Sequence, residues 1–144
     1  METAPSTVEF LVADDDPRVA RFLSAYLESK QHTSVSLTDG TGILSWLETN
    51  HCEVVIIDIN FPKQDGISLI SSIRSADQNL PIIVFTGLGY DEEKMHAALR
   101  AGANGYVSKN LPAEQLYSVL SRVLMTTRTH ARRDARLTSI LSAV

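Results

Sequence analysis

The stretch EVVIIDINFPKQDG at residues 53–66 decides the fold. It starts with Glu53 and four consecutive β-branched residues, and it then changes abruptly to a charged side chain at Asp58. A continuous apolar run of strand length, without alternation, is typical of a strand in a parallel sheet that helices cover on both faces. The stretch therefore predicts an α/β protein with an acidic side chain at the end of a central strand.

Outward from this strand, segments typical of strands alternate with segments typical of helices. Strands are predicted at 8–13, 33–38, 53–58, 80–86 and 105–108. Helices are predicted from residue 17, around 43–47, and over 65–74, 91–102 and 111–124, from apolar spacing and capping residues. Five strand–helix repeats with right-handed crossovers give a doubly wound α/β fold: a (βα)5 five-stranded parallel sheet of the flavodoxin-like kind.

Polar side chains come directly after four of the five predicted strands. Asp14 and Asp15 follow the first strand, Asp58 the third, Thr86 closes the fourth and Lys109 follows the fifth. In a doubly wound sheet the carboxyl ends of the strands form the usual binding site. The sequence therefore predicts that these side chains converge at one edge of the sheet.

Asp14, Asp15 and Asp58 would bring three carboxylates into one small volume. Their mutual repulsion is relieved by a hard divalent cation, and Mg²⁺ prefers such oxygen ligands. Asp16 is better explained as the cap of the helix that begins at Pro17, and a polar loop is the alternative explanation for its two neighbours.

Lys109 and Thr86 supply a positive charge and a hydroxyl to the same edge. An ammonium suits a phosphoryl oxygen, and it would pair with Asp58 when no phosphate is bound. Each residue taken alone is equally consistent with a surface lysine or with an ordinary strand-end threonine.

Four motifs in order resemble one family, and they are LVADDDP, IIDINFPKQDG, IIVFTG and AGANGYVSK. Over about residues 8–124 the chain resembles the response regulator receiver domains, which have a CheY-like fold. The Lys-Asn-Leu-Pro run at 109–112 is most similar to receivers of LuxR-type transcription factors, and it argues against a cis peptide after Lys109.

The resemblance implies a phosphoacceptor site with a bound Mg²⁺ ion. Asp58 would be the nucleophile, and Asp15, Asp58 and the backbone carbonyl of Asn60 would ligate the metal directly. Asp14 would act through a metal-bound water.

The resemblance also implies a switch. Lys109 and Thr86 would bind the phosphoryl oxygens, and Thr86 and Tyr106 would pass the signal to the face formed by the fourth helix, the fifth strand and the fifth helix. The phosphoryl group would come from a sensor histidine kinase or a phosphotransfer protein, and the domain itself would at most self-phosphorylate and slowly dephosphorylate.

Two other functions are weighed against a switched signalling module. An aspartyl-phosphate hydrolase typically has a second aspartate two residues after the nucleophile, where this chain has Asn60. A decayed, unphosphorylated interaction domain would not be expected to keep Asp14, Asp15, Asp58, Thr86 and Lys109 together. Within the signalling class, the chain is either a stand-alone receiver or the receiver part of a longer LuxR-type factor.

The 144 residues carry a net charge of −4, with one cysteine and no long apolar run. These features predict a cytoplasmic protein without a membrane partner. From Arg122 onward five arginines and one aspartate give +4, whereas the preceding residues have eight basic and sixteen acidic side chains, or −8. An acidic body is a poor surface for nucleic acid.

We divide the chain into a receiver, 1–126, and a basic linker or helical extension, 127–144. Leu137, Ile140, Leu141 and Val144 have helical spacing in this extension. This stripe either packs on its own receiver or docks onto a second copy, and a homodimer through the extension or through the switch face is the second alternative.

Overall fold

The computed structural model describes Pro5 and residues 7–61, 64–87 and 91–142. Its strands are β1 (Thr7–Ala13), β2 (Ser34–Leu37), β3 (His51–Ile57), β4 (Asn60–Phe61), β5 (Gln64–Asp65), β6 (Ile82–Thr86) and β7 (Gly105–Ser108). Its helices are α1 (Pro17–Ser29), α2 (Thr41–Thr49), α3 (Gly66–Ala76), α4 (Glu92–Ala101) and α5 (Ala113–Ser142). Among the described residues, no helix is both long enough and apolar enough to cross a membrane.

The main sheet has five strands in the order β2-β1-β3-β6-β7, and every neighbouring pair is parallel. The predicted five-stranded doubly wound α/β fold is therefore confirmed. The two-residue strands β4 and β5 form a separate antiparallel pair just after β3, which the sequence analysis did not anticipate. The fifth strand of the main sheet is consequently β7.

The central strands bury both of their faces, as the uninterrupted apolar run predicted. In β3, Val54 and Ile56 pack on the side of α1 and α5, and Val55 and Ile57 pack on the side of α2, α3 and α4. Because side chains alternate across a strand, each strand contributes to two separate cores. The result is a sheet between two helical layers, with its strand ends left as the accessible edges.

Helix starts follow the capping residues in the sequence. The Asp16 carboxylate accepts a hydrogen bond from the backbone N–H of Arg18 at the start of α1, and Asp65 and Asp91 cap α3 and α4 in the same way. Gly102 ends α4 with φ = 122°, a backbone conformation that favours glycine. The predicted role of Asp16 as a helix cap is confirmed.

Helix α5 is much longer than predicted. The predicted end of the fifth helix at residue 124 is wrong, because one helix continues without a break to Ser142. Its first half is anchored in the core by Leu116, Leu120 and Leu124. From Arg128 to Leu141 every described side chain is exposed, and Val144 lies outside the described residues.

Candidate functional site

The site lies where the strand order reverses, between β1 and β3. The chain leaves β1 in one direction to form β2, and it later returns on the other side of β1 as β3. The ladder continues one residue past each strand, because the Asp58 N–H donates to the carbonyl of Ala13 at 2.9 Å and the Asp14 N–H donates to that of Leu37 at 3.1 Å. Both aspartates are thus held by backbone at the topological switch point.

Asp14, Asp15 and Asp58 form the acidic group that the sequence predicted. One carboxylate oxygen from each lies within 4.8 Å of the others. Asp14 and Asp58 are only 2% and 5% exposed, which is unusual for charged residues unless they are paired. Burial raises the pKa of Asp14, and the hydrogen bond from Lys109 only partly offsets that effect.

Lys109 bridges the two buried carboxylates. Its Nζ lies 2.6 Å from Asp14 Oδ2 and 2.8 Å from Asp58 Oδ2. Burial alone would lower the pKa of Lys109, but the hydrogen bonds to Asp14 and Asp58, together with the negative charges of these carboxylates, outweigh burial and raise that pKa. The ammonium therefore stays charged in the site, and the expected pair with Asp58 is confirmed.

Backbone and ring contacts fix the position of the lysine. The Lys109 N–H donates to the carbonyl of Thr86 at 2.8 Å, so the last ladder bond of β6 and β7 places the residue at the edge. Its ammonium lies 6.0 Å from the centre of the Phe85 ring. The peptide bonds of the described residues are all trans, including the one after Lys109.

The segment after Asp58 is folded tightly against the site. The Asn60 N–H donates to Asp58 Oδ1 at 3.0 Å, and Asn60 then pairs with Asp65 through β4 and β5. Gly66 lies so close to Ile59 that a Cβ atom there would be 2.4 Å from the Ile59 backbone. Pro62, which belongs to the same motif, lies outside the described residues.

Thr86 and Tyr106 occupy neighbouring strands below the edge. Thr86 is fully buried at the end of β6 and pairs in register with Ser108. Tyr106 is half-buried on β7 and packs against the core cluster beneath α3 and α4. Its hydroxyl is buried without a hydrogen bond to the described residues, and burial raises its pKa.

Two contacts of this edge were not predicted. The Lys109–Asp14 bond is shorter than the expected Lys109–Asp58 bond. Asp39, to which the sequence analysis assigned no role, accepts hydrogen bonds from the N–H and hydroxyl of Thr41 at the start of α2. A hydrogen bond from the backbone N–H two residues on is typical of an Asx turn, and the aspartate before Gly40 could have revealed this role.

The fold and site define a doubly wound α/β protein with buried carboxylates and a lysine at its switch point. A family model described as the response regulator receiver domain matches residues 10–121. The chain belongs to this family, as the motifs in the sequence indicated.

Curated relatives are between 25% and 31% identical to the chain over the residues that align. It is 31% identical over 120 residues to the response regulator MprA of Mycobacterium sp. (strain KMS), covering 83% of this chain and 52% of that protein. It is 25% identical over 134 residues to the heme response regulator HssR of Staphylococcus epidermidis, covering 93% of this chain and 59% of the relative. The chain thus spans between half and three fifths of these relatives.

Solved structures of receiver domains match over almost their whole length. The Francisella response regulator 1452 receiver domain is 29% identical with a TM-score of 0.76, covering 83% of this chain and 98% of that one. A CheY-like receiver domain protein from Methanospirillum hungatei is 20% identical with a TM-score of 0.79, covering 89% and 99%. At 20% identity, the similarity to the Methanospirillum hungatei structure shows only that the two chains share a fold.

Proposed function

We propose that this chain accepts a phosphoryl group on Asp58 and thereby switches a partner-binding face. The observation that carries the proposal is the single ammonium of Lys109 held between Asp58 and Asp14, at 2.8 Å and 2.6 Å, in a largely buried site. A fixed positive charge beside a nucleophilic carboxylate stabilises the charge of a phosphoryl group in transfer. Mass spectrometry that locates the modified residue after treatment with acetyl phosphate tests it.

The transfer needs few groups from the protein. An Asp58 oxygen attacks phosphorus and forms the O–P bond, while the bond from phosphorus to the donor breaks and the donor keeps its electron pair. Lys109 would exchange its hydrogen bond with the Asp58 carboxylate for one with a phosphoryl oxygen, and the Thr86 hydroxyl would bind another. Positioning and charge neutralisation account for most of the rate enhancement in such reactions.

The donor set fits Mg²⁺, which would neutralise phosphoryl charge when bound. The acidic group offers hard oxygen ligands for a cation. The single positive charge of Lys109 does not balance the three carboxylates, so the group has excess negative charge. We assign direct ligation to Asp15, Asp58 and the backbone carbonyl of Asn60, with Asp14 acting through water. The hydrogen bond from the Asn60 N–H to Asp58 holds that segment beside the carboxylates.

Millimolar Mg²⁺ is expected to raise the melting temperature of the wild-type chain, because a cation that binds only the folded state stabilises it by mass action. Asp15→Asn should weaken the Mg²⁺ affinity by at least about tenfold, since a direct carboxylate ligand is lost. Asp16→Asn is the matched control, because asparagine caps α1 equally well and Asp16 lies outside the acidic group. A wild-type melting temperature that does not respond to Mg²⁺ would contradict the site.

We further propose that Thr86 and Tyr106 connect the site to the face of α4, β7 and α5. Movement of Thr86 toward the phosphoryl oxygens would vacate space that the Tyr106 ring fills. Beryllofluoride, a phosphoryl mimic, should therefore shift the amide resonances of α4, β7 and α5, and Thr86→Ala should confine the shifts to the loops around Asp58. Wild-type shifts already confined to those loops would disprove the coupling.

The partners follow from this chemistry. The natural donor would be the phosphohistidine of a sensor kinase or a phosphotransfer protein, and the chain's own catalysis would be limited to self-phosphorylation from small acyl phosphates and slow loss of phosphate. The face of α4, β7 and α5 is proposed to bind the output partner or a second copy. The acidic body disfavours direct binding of nucleic acid by the receiver.

The length of the relatives favours a second proposal, that the chain is the receiver part of a longer regulator. It covers 52% of the transcriptional regulatory protein DltR from Streptococcus agalactiae, at 30% identity. A DNA-binding output domain, of LuxR type in the sequence analysis, would then follow the extension. The mass of the protein isolated from its native cells distinguishes a stand-alone receiver from a longer one.

A further inference from the structure

The C-terminal half of α5, residues 129–142, has an apolar stripe that its own chain leaves uncovered. Leu137, Ile140 and Leu141 are 54%, 60% and 74% exposed. A helix segment of this length is marginal in water unless its apolar face packs against another surface. The stripe therefore needs a partner.

The chain's own core is too far away, and it faces in another direction. At about 100° per residue, the stripe lies about 100° round the helix axis from the buried stripe of Leu116, Leu120 and Leu124. Arg128 forms ion pairs with Glu9 and Glu53 of the body, and Ile140 lies twelve residues further along α5, or about 18 Å along the axis. A continuous straight helix cannot bring Leu137, Ile140 and Leu141 back to its own sheet.

A groove lies at the base of the sheet, on the edge opposite the phosphoacceptor site, and we name it the basal groove. It has a volume of about 260 Å³ between the start of β3, the loop before β6 and α5. Cys52, Leu80, Pro81 and Ala131 give it an apolar lining, of which the first three residues are buried. Such a groove has room for aliphatic side chains.

Charge distinguishes the groove from the helix that would fill it. Glu53, Asp77 and Arg128 are the charged residues of the groove lining, and Arg128 already pairs with Glu53, so the acids outnumber the base by one. Arg132, Arg133 and Arg136 precede or flank the exposed stripe, and unlike Arg128 they make no ion pair with another described residue. With three arginines and Asp134, residues 129–142 carry a net charge of +2, whereas the groove has an apolar lining with a small excess of negative charge.

We propose that residues 129–142 of α5 dock into the basal groove of a second copy of this chain, reciprocally. Because Ile140 lies about 14 Å along the axis beyond Ala131, the last residue of α5 in its own groove, a copy turned base to base, with its α5 antiparallel, brings its groove level with the stripe. The same two-fold operation seats the second helix in the first groove. The contact is closed and self-complementary, so it ends at a dimer.

The ion pairs of Arg128 fix the direction in which α5 leaves the body. The Arg128 guanidinium lies 2.7 Å from Glu9 of β1 and 3.0 Å from Glu53 of β3. The hydroxyl of Tyr117, on the same helix, forms a hydrogen bond with the His32 ring. The other ring nitrogen of His32 forms a hydrogen bond with Glu9. These contacts fix α5 on two strands where it leaves the body, so less order must be gained when a partner docks.

Light scattering of the full chain at increasing concentration is the first test. We expect the mass to rise toward that of a dimer, and Leu137→Ser with Leu141→Ser should weaken association by at least about tenfold. Leu111→Ser, at a similarly exposed leucine outside the extension, is the matched control and should leave association unchanged. A full chain that stays monomeric, or a double variant that associates like the wild type, would overturn the proposal.

A charge exchange tests the groove itself. One variant carries Arg133→Glu and Arg136→Glu in the helix, and the other carries Glu53→Lys and Asp77→Asn in the groove. Each alone should be monomeric, because like charges would meet at both contacts. An equimolar mixture should form a heterodimer, since both contacts then join opposite charges. A mixture that stays monomeric while both variants remain folded by circular dichroism would exclude the groove as the docking site.

Discussion

Asp58→Asn is expected to abolish labelling of the chain by acetyl phosphate. The carboxylate that would attack phosphorus is replaced by an amide of the same shape that is not nucleophilic, so incorporation should fall to background, a loss of at least about a hundredfold. Intact-mass spectrometry of the treated protein measures the effect directly. Beryllofluoride should likewise produce no amide shifts in the variant.

The variant should remain folded, which separates loss of chemistry from loss of structure. The carboxylate of Asp58 accepts from Lys109 on one oxygen and from the Asn60 N–H on the other, and the single amide oxygen of asparagine can keep one of these two bonds, while the shorter bond from Lys109 to Asp14 is untouched. Removing one of three crowded carboxylates also reduces their repulsion, so the melting temperature should not fall. Asp65→Asn, which keeps the cap of α3, is a control that should still be labelled. Persistent labelling of Asp58→Asn would place the acceptor elsewhere.

The order of elements could be predicted because the central strands are apolar on both faces. β3 and β6 correspond to uninterrupted apolar runs in the sequence. Where segments with helical spacing separate such runs, a strand buried between two helical layers is the favoured interpretation. The far end of α5 could not be predicted in the same way. Beyond residue 124 no periodic apolar stripe continues the buried one, and the helix persists through residues that make no core contact.

The site was largely predictable because parallel strands bring their carboxyl ends to one edge. This rule placed Asp14, Asp15, Asp58, Thr86 and Lys109 together without any distances. It could not predict that Lys109 would reach Asp14, because β7 lies three places from β1 in the sheet. Such a contact depends on how far a flexible lysine side chain extends across two intervening strands, which sequence spacing does not report.

The close approach of Gly66 to Ile59 was equally invisible in the sequence, and it leads to the second large effect. Gly66→Ala is expected to destabilise the fold by about 3 kcal/mol, because overpacking against backbone cannot be relieved by a side-chain rotation. The added Cβ would lie 2.4 Å from both the Cα and the carbonyl oxygen of Ile59. The corresponding fall in melting temperature is roughly 10 °C for a chain of this size, and thermal denaturation by circular dichroism measures it.

Gly42→Ala is the matched control, since a Cβ at Gly42 in α2 would meet nothing within 4 Å. Alanine is the better helix former, so this change should stabilise the chain by about 0.5–1 kcal/mol. Equal melting temperatures for the two variants would show that the segment after Asp58 moves easily enough to accommodate the added Cβ atom. If the segment is rigid instead, Gly66→Ala should also slow labelling by acetyl phosphate even where the chain is folded. Ile59 joins Asp58 to Asn60, and a displaced Ile59 would disturb the hydrogen bond between the Asn60 N–H and the Asp58 carboxylate.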